Sequence, residues 1–347
     1  MCKYFFISIK KNIIPFLLLL FTIGLVIFSK DNLDASKIGL LLWANNIVPS
    51  LLPFFIATNL LSHTSLIYKF GKLLEPIMRP FFNVPGIGSF PLIMGIISGY
   101  PTGAKIVSDL KEKNLLTDIE SERLIAFTNN SGPLFILGTV GISMFSNNLI
   151  GILLLITHVL SCLTVGFLFK FWKNNKNLGY KSSKPYLYTK NISFSDLGEI
   201  LSKSILDSIK TILLIGGFVI LFSVILSILN ESKILPIVST FILPLFNLLG
   251  MNKLDFPTGF LSGLLEVTNG LNIISNTPYK NIAYNIILSS FLLGFGGFSV
   301  LLQVYSITSK ANISIKPYLI GKVLHGIIAS IYTFIFIYSI PIFNSNL

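Results

Sequence analysis

The chain has 347 residues, of which 52 % are hydrophobic and only 12 % charged, against roughly a quarter charged in an ordinary soluble domain. So few charges cannot cover a water-exposed surface, which excludes a soluble protein and makes the lipid bilayer the first partner. The net charge of +12 comes from lysines set between apolar spans, where they act as orientation signals, so no nucleic-acid partner is expected.

Lys3, Lys10 and Lys11 precede an apolar run from Asn12 to Phe28. Ser29-Lys30-Asp31 follows in place of a small-residue cleavage site, so residues 1–30 read as a retained extra N-terminal transmembrane helix. A second span runs from about Lys37 to Ser62, kinked near Pro49 and Pro53. From Leu73 to Lys113 the apolar residues are interrupted by Pro76, Pro80, Pro85, Pro91 and Pro101 and by five glycines. No clean span of about 20 residues fits there. Two short apolar pieces around the tip Ser98–Gly103 predict a re-entrant hairpin. Thr117 and Glu120 form a capping box. It opens a helix that breaks at Asn129-Asn130-Ser131-Gly132-Pro133 and resumes to Phe145, and a span from Asn147 to Phe169 follows. The next loop carries Lys170, Lys173, Lys176, Lys181, Lys184 and Lys190, with no acidic residue between Arg123 and Asp196. That places the loop and the N-terminus in the cytoplasm.

The second half opens with a helix from Asp196 to Leu229 and a shorter apolar piece from Ile234 to Leu249. An interrupted segment from Pro257 to Ile274 is tipped by Glu266-Val267-Thr268-Asn269-Gly270. A broken helix from Asn281 to Thr308 contains Gly294, Gly296 and Gly297, and a last span runs from Pro317 to Ile340. The count is seven crossings and two hairpins, with the C-terminus outside.

The halves resemble each other. Gly95-Ile96-Ile97-Ser98-Gly99 matches Gly259-Phe260-Leu261-Ser262-Gly263, and the break at Gly132 falls on Gly296. The predicted fold is therefore an all-α polytopic membrane protein, an inverted-topology repeat with two re-entrant hairpins and two broken helices. Residues 37–172 are the first repeat, 173–195 a basic cytoplasmic loop and 196–342 the second, inverted repeat. Backbone groups released at tips and breaks cannot face lipid and must line a shared polar cavity. Half-helix N-termini suit an anion there, and unwound carbonyls suit a cation.

The expected substrate-binding residues follow from that geometry. They are Ser98, Gly99, Thr102, Gly103 and Lys105 at the first tip, Thr128, Asn129, Asn130 and Ser131 at the first break, and Ser262, Glu266, Thr268 and Asn269 in the second hairpin. Lys105 either pairs with a substrate carboxylate or snorkels to the interface. Glu266 binds a proton or sodium, pairs with Lys105 in the empty state, or lies at the outer interface. Gln303 either faces the cavity or bonds between helices. His158 and His325 read as packed polar residues, and Glu122 with Arg123 as an interfacial charge pair. Two distant cysteines and three scattered histidines leave no metal site, and no cofactor is expected.

Ser98-Gly99-Tyr100-Pro101-Thr102-Gly103-Ala104-Lys105, Glu122-Arg123-Leu124 and the string Phe127 to Phe135 resemble the sporulation integral membrane proteins of endospore-forming bacteria (YlbJ type). These belong to the nucleoside-recognition or gate-domain group. The resemblance covers nearly the whole chain. It implies two gate-type repeats related to concentrative nucleoside transporters and a location in the outer forespore membrane after synthesis in the mother cell. It implies dipicolinate as the substrate, passed toward the forespore. Together with the anion-suited cavity, the reading is a secondary transporter of a small organic anion. It is not read as an enzyme, since no nucleophile–base pair, metal motif or phosphate loop appears. A nucleoside-type transporter and a non-transporting assembly protein are the alternatives. A coupling H+ or Na+ and a homo-oligomer are left open.

Overall fold

The computed structural model describes residues 2–173, 197–340 and 343. Most of the basic loop lies outside them. Among the described residues there are helices and no strand, the all-α class that the long apolar runs demand.

Helix α1 (Cys2–Ile27) is followed at once by α2 (Ser29–Leu42), and the two apolar runs meet at 100°. Buried Asn32 fastens the bend, its Nδ2 donating to the Gly24 carbonyl at 3.0 Å. A π-helical turn (Trp43–Ile47) leads into α3 (Val48–Ser62). The second span thus starts at Ser29 rather than near Lys37. The Ser-Lys-Asp stretch is a helical first turn, with Asp31 at its positive dipole end.

Helix α4 (Leu66–Phe82) carries Pro76 and Pro80 and ends at Asn83 in the left-handed region. A 3-10 turn (Gly86–Gly88) leads to α5 (Ser89–Ser98) and α6 (Thr102–Glu112), the two packed limbs of the first hairpin. Helix α7 (Asp118–Ile125) opens on the predicted capping box. Thr117 Oγ1 accepts from the Glu120 N–H at 3.2 Å, and the Glu120 carboxylate accepts from the Thr117 N–H at 3.0 Å. The chain unwinds from Ala126 and resumes as a π-helical segment (Leu134–Met144), then α8 (Asn148–Phe169).

The second half runs α9 (Leu197–Glu231), α10 (Ile234–Leu248), a hairpin of α11 (Asp255–Leu265) and α12 (Val267–Asn276), a broken pair of α13 (Ala283–Phe295) and α14 (Gly297–Thr308), and α15 (Lys316–Ser339). The second tip is narrower than expected. Val267 to Gly270 are helical, and only Glu266 is extended.

By length and composition, four described runs can each cross a bilayer: α8, α9, the α13–α14 pair and α15. Two bent pairs, Ile13–Ile27 with Ser29–Asn45 and Lys69–Phe82 with Gly86–Ser98, raise that to six. The expected seven is composed differently. It takes the first bent pair as two spans, leaves 69–98 to the hairpin region, and adds the first broken helix, whose pieces of 8 and 11 residues are each too short to qualify singly.

Two bodies position the site. Helices α8, α13 and α15 pack together in the middle, with α7 against α15. Beside them α9 runs antiparallel to the α2–α3 rod: Gly39 abuts Ser223, and the Trp43 indole lies over Gly216. Trp43 Nε1 donates to the Ile212 carbonyl at 2.9 Å, and Asn59 Nδ2 to Ser208 Oγ at 2.9 Å. Between these bodies, α6 of the first hairpin touches α14, and α12 of the second touches the π-helical segment. Each hairpin therefore meets the broken helix of the other half.

Candidate functional site

The first break is held by the hairpin beneath it. Gly95 on α5 and Gly103 on α6 both approach the Thr128 carbonyl, so closely that an added Cβ would stand 1.8 and 2.0 Å from its oxygen. Only glycine permits that contact, which pins the unwound chain between the two limbs. The second break uses a different device. Gly296 and Gly297 are both left-handed, with φ of +84° and +82°, and Gly297 rests on the carbonyls of Gly263 and Leu265 in the second hairpin.

Between these seats lies a cavity of about 320 Å³, the lower end of the range for small-molecule sites. Ser98, Gly99 and Tyr100 reach it from the first tip, and Glu266, Val267 and Thr268 from the second. Gly132, Phe135 and Thr139 of the first broken helix and Ser299 and Gln303 of α14 complete that side. The opposite wall is the α2–α3 rod with Leu42, Asn45 and Phe54, together with Ile215 and Val219 of α9.

Its electrostatics come from helix ends. The π-helical segment and α14 both start at the cavity with no side-chain cap. No side chain caps either start, and their positive dipole ends face the space. At the π-helical segment Pro133 has no N–H, and Phe135 and Ile136 both donate to the Gly132 carbonyl at 3.1 Å, so that end acts through its dipole more than through free donors. The start of α12 is closed by Glu266, whose carboxylate accepts from the Thr268 N–H at 3.1 Å and the Asn269 N–H at 2.9 Å. Glu266 is buried, and among the described residues no basic side chain is ion-paired with it. Ser98 Oγ and Gln303 Oε1, both buried at the wall, have no partner among the described residues.

Of the residues expected from sequence, Ser98, Gly99, Glu266 and Thr268 line the cavity. The others stand behind it. Thr102 and Gly103 begin α6. Thr128 is clamped through its carbonyl, and the Ser262 carbonyl accepts from the Glu266 N–H. Asn269 gives its N–H to Glu266. Asn129 Nδ2 donates to Tyr318 OH at 3.0 Å, Asn130 Nδ2 to the Phe127 carbonyl at 3.0 Å, and Ser131 Oγ to the Leu293 carbonyl at 3.4 Å. Lys105 Nζ donates to Thr211 Oγ1 on α9 at 3.1 Å. Lys105 and Glu266, whose pairing is one of the readings open in the sequence, take separate partners here. Glu122 and Arg123 also reach outward. Glu122 holds Lys173 and Trp172 Nε1, and Arg123 donates to the carbonyls of Asn83 and Trp172.

Sequence reasoning passed over Asn45, Tyr318 and Lys322. Lys322 had a signal: it is a basic residue inside an apolar span, the criterion that singled out Glu266. Tyr100 lies inside the tip motif but carries no charge to draw the eye.

The comparisons with known proteins agree with this architecture. The model of the family described as Gate, nucleoside recognition, matches residues 44–171. The sporulation integral membrane protein YlbJ of Bacillus subtilis (strain 168) is 38 % identical over 340 residues, covering 94 % of this chain and 82 % of the relative. The chain belongs to the YlbJ family of sporulation integral membrane proteins. No solved structure matches it. The Gate match begins in the π-helical turn before α3 and ends just past α8. It therefore takes in the first hairpin and the first break, while the second tip and α14 lie beyond it.

Proposed function

We propose that the protein is a secondary transporter of a small organic anion, with dipicolinate the leading substrate, moved across the outer forespore membrane toward the forespore. The observation that carries this is the pair of uncapped half-helix starts opening on one cavity between the two tips. Each start brings about half a positive charge, so the two together balance one carboxylate. The second carboxylate of dipicolinate calls on Lys105. Its partner Thr211 lies one helical turn from Ile215 on the cavity wall. Glu266 is then neutralised by a proton or a cation when substrate is present. This reading takes the halves as inverted gate-type repeats, with the N-terminus and basic loop cytoplasmic and the C-terminus opposite. Both halves run hairpin, broken helix, long helix, an order that supports two repeats.

One observation favours a second reading. Among the described residues no lysine or arginine lines the cavity, while Asn45, Gln303 and Tyr100 do, a lining suited to an uncharged nucleoside. Purified protein in vesicles decides between them. Uptake of labelled dipicolinate but not uridine supports the anion carrier, and the reverse supports the nucleoside carrier. Uptake of neither, from correctly inserted protein, leaves the assembly-protein reading.

A further inference from the structure

Behind the cavity the last helix reaches into the first break. Lys322 on α15 is only 1 % exposed. Its Nζ stands 3.2 Å from the Asn129 carbonyl oxygen and 3.4 Å from His325 Nδ1. Among the described residues no carboxylate is ion-paired with it. The titratable groups around it are His158 and Cys162 from α8 and His325 from its own helix, with Tyr318 one turn away and Tyr100 beyond it.

The hydrogen bonds fix the roles. His325 Nε2–H donates to the His158 carbonyl at 3.0 Å, so Nδ1 is left as an acceptor. Lys322 is therefore a donor to both partners. His158 Nε2 in turn accepts the Ser131 N–H at 3.1 Å. The Asn129 carbonyl is released by the break, just past the negative end of α7. Thr128 Oγ1, Asn129 Oδ1 and Asn130 Oδ1 lie along the same stretch, buried and without partners among the described residues. An unwound carbonyl with orphaned oxygens beside a half-helix C-terminus is the type of place where carriers hold a coupling cation. Here the Lys322 Nζ already stands at it, supplied by the opposite half of the chain.

We propose that Lys322 is a built-in cation, occupying at the Asn129–Ser131 break the place of a coupling sodium ion, so that the protein binds no Na+ there. The inference rests on the carrier reading for its role in coupling, but the occupancy is tested without any substrate. Wild-type protein, Lys322→Ala and Lys322→Met are heated in detergent, in NaCl or in choline chloride of equal ionic strength. The midpoint of heat aggregation is read by gel filtration. Wild type and Lys322→Met are expected to show equal midpoints in the two salts, because the place is filled. Lys322→Ala is expected to melt earlier in choline chloride and to shift upward in NaCl or with added propylammonium, the fragment that the truncation removes. A Na+-specific upward shift of the wild type overturns the proposal, and this arm stands even where Lys322→Ala does not fold. A folded Lys322→Ala that responds to neither cation also overturns it, since the acceptors then form no cation site. Failure of vesicle uptake sinks the transporter reading and leaves these shifts to be judged alone.

Discussion

Glu266 is at once a helix cap and a carboxylate on the cavity wall, and the two duties separate by substitution. Glu266→Gln keeps an oxygen that accepts one of the two N–H bonds at the start of α12, so a loss of about 1 kcal/mol is expected, within the range for a weakened cap. Removing the negative charge is expected to hold or raise dipicolinate uptake, because the anion no longer faces a like charge. Abolished uptake by a well-folded Glu266→Gln would instead make the carboxylate an obligatory ion carrier. Lys105 gives the complementary test. Lys105→Met is expected to lower dipicolinate uptake severalfold with insertion intact, and Lys105→Arg to restore part of it, since the charge survives while the geometry shifts. If Lys105→Met carries dipicolinate normally, the lysine serves only its bond to Thr211. The sequence exposed Glu266 because a charge in an apolar run stands out. Tyr318 and Asn45 stayed hidden, because an uncharged polar side chain in a helix looks the same whether it faces a cavity, a neighbour or lipid headgroups.

At the scale of elements, the capping box, the two hairpins and the interruption after Phe127 were all legible, because Pro, Gly and Thr-x-x-Glu act through the backbone and leave local marks. The start of α2 and the width of the second tip were not. The first depends on Asn32 reaching back to Gly24, the second on Glu266 bonding two N–H groups ahead of it, and neither bond has a spacing that distinguishes it from a loop. Likewise nothing local says that Gly95 and Gly103 meet on the same carbonyl, since Thr128 is distant from both in sequence. That shared contact makes a sharp prediction. Gly95→Ala or Gly103→Ala forces a methyl against the Thr128 oxygen, with an expected loss of about 1–3 kcal/mol or more and a lowered midpoint of heat aggregation. Gly138→Ala is the control. The nearest atom to its added Cβ is Leu134 Cδ1 at 3.9 Å, so the protein should melt like the wild type.

At the scale of the whole molecule, the cavity lies where a frame of α2, α3 and α9 faces the hairpins and broken helices. On the proposed carrier reading, alternating access amounts to the hairpins and broken helices moving against this frame. The frame is stitched along its length by Gly39 on Ser223, Trp43 on Ile212 and Asn59 on Ser208. A bond within it should therefore cost nothing in transport. In a background with Cys2→Ser and Cys162→Ser, a pair of Gly39→Cys and Ser223→Cys brings two Cβ atoms to about 3.2 Å, close enough to oxidise with slight movement. Uptake by the oxidised and reduced forms is expected to be equal. Arrested uptake on oxidation would mean that α2 and α9 slide past each other in the cycle.

The notch that Gly216 leaves for the Trp43 indole has an optical consequence. The chain has two tryptophans. Trp43 begins the π-helical turn whose Asn45 and Ile47 line the cavity, while Trp172 lies past the end of α8 with its indole N–H on Glu122 at 2.8 Å. Replacing Trp172 with Phe would leave a single tryptophan next in the chain to Leu42 and close to Asn45, both on the cavity wall. It would report the filling of the cavity without any attached dye.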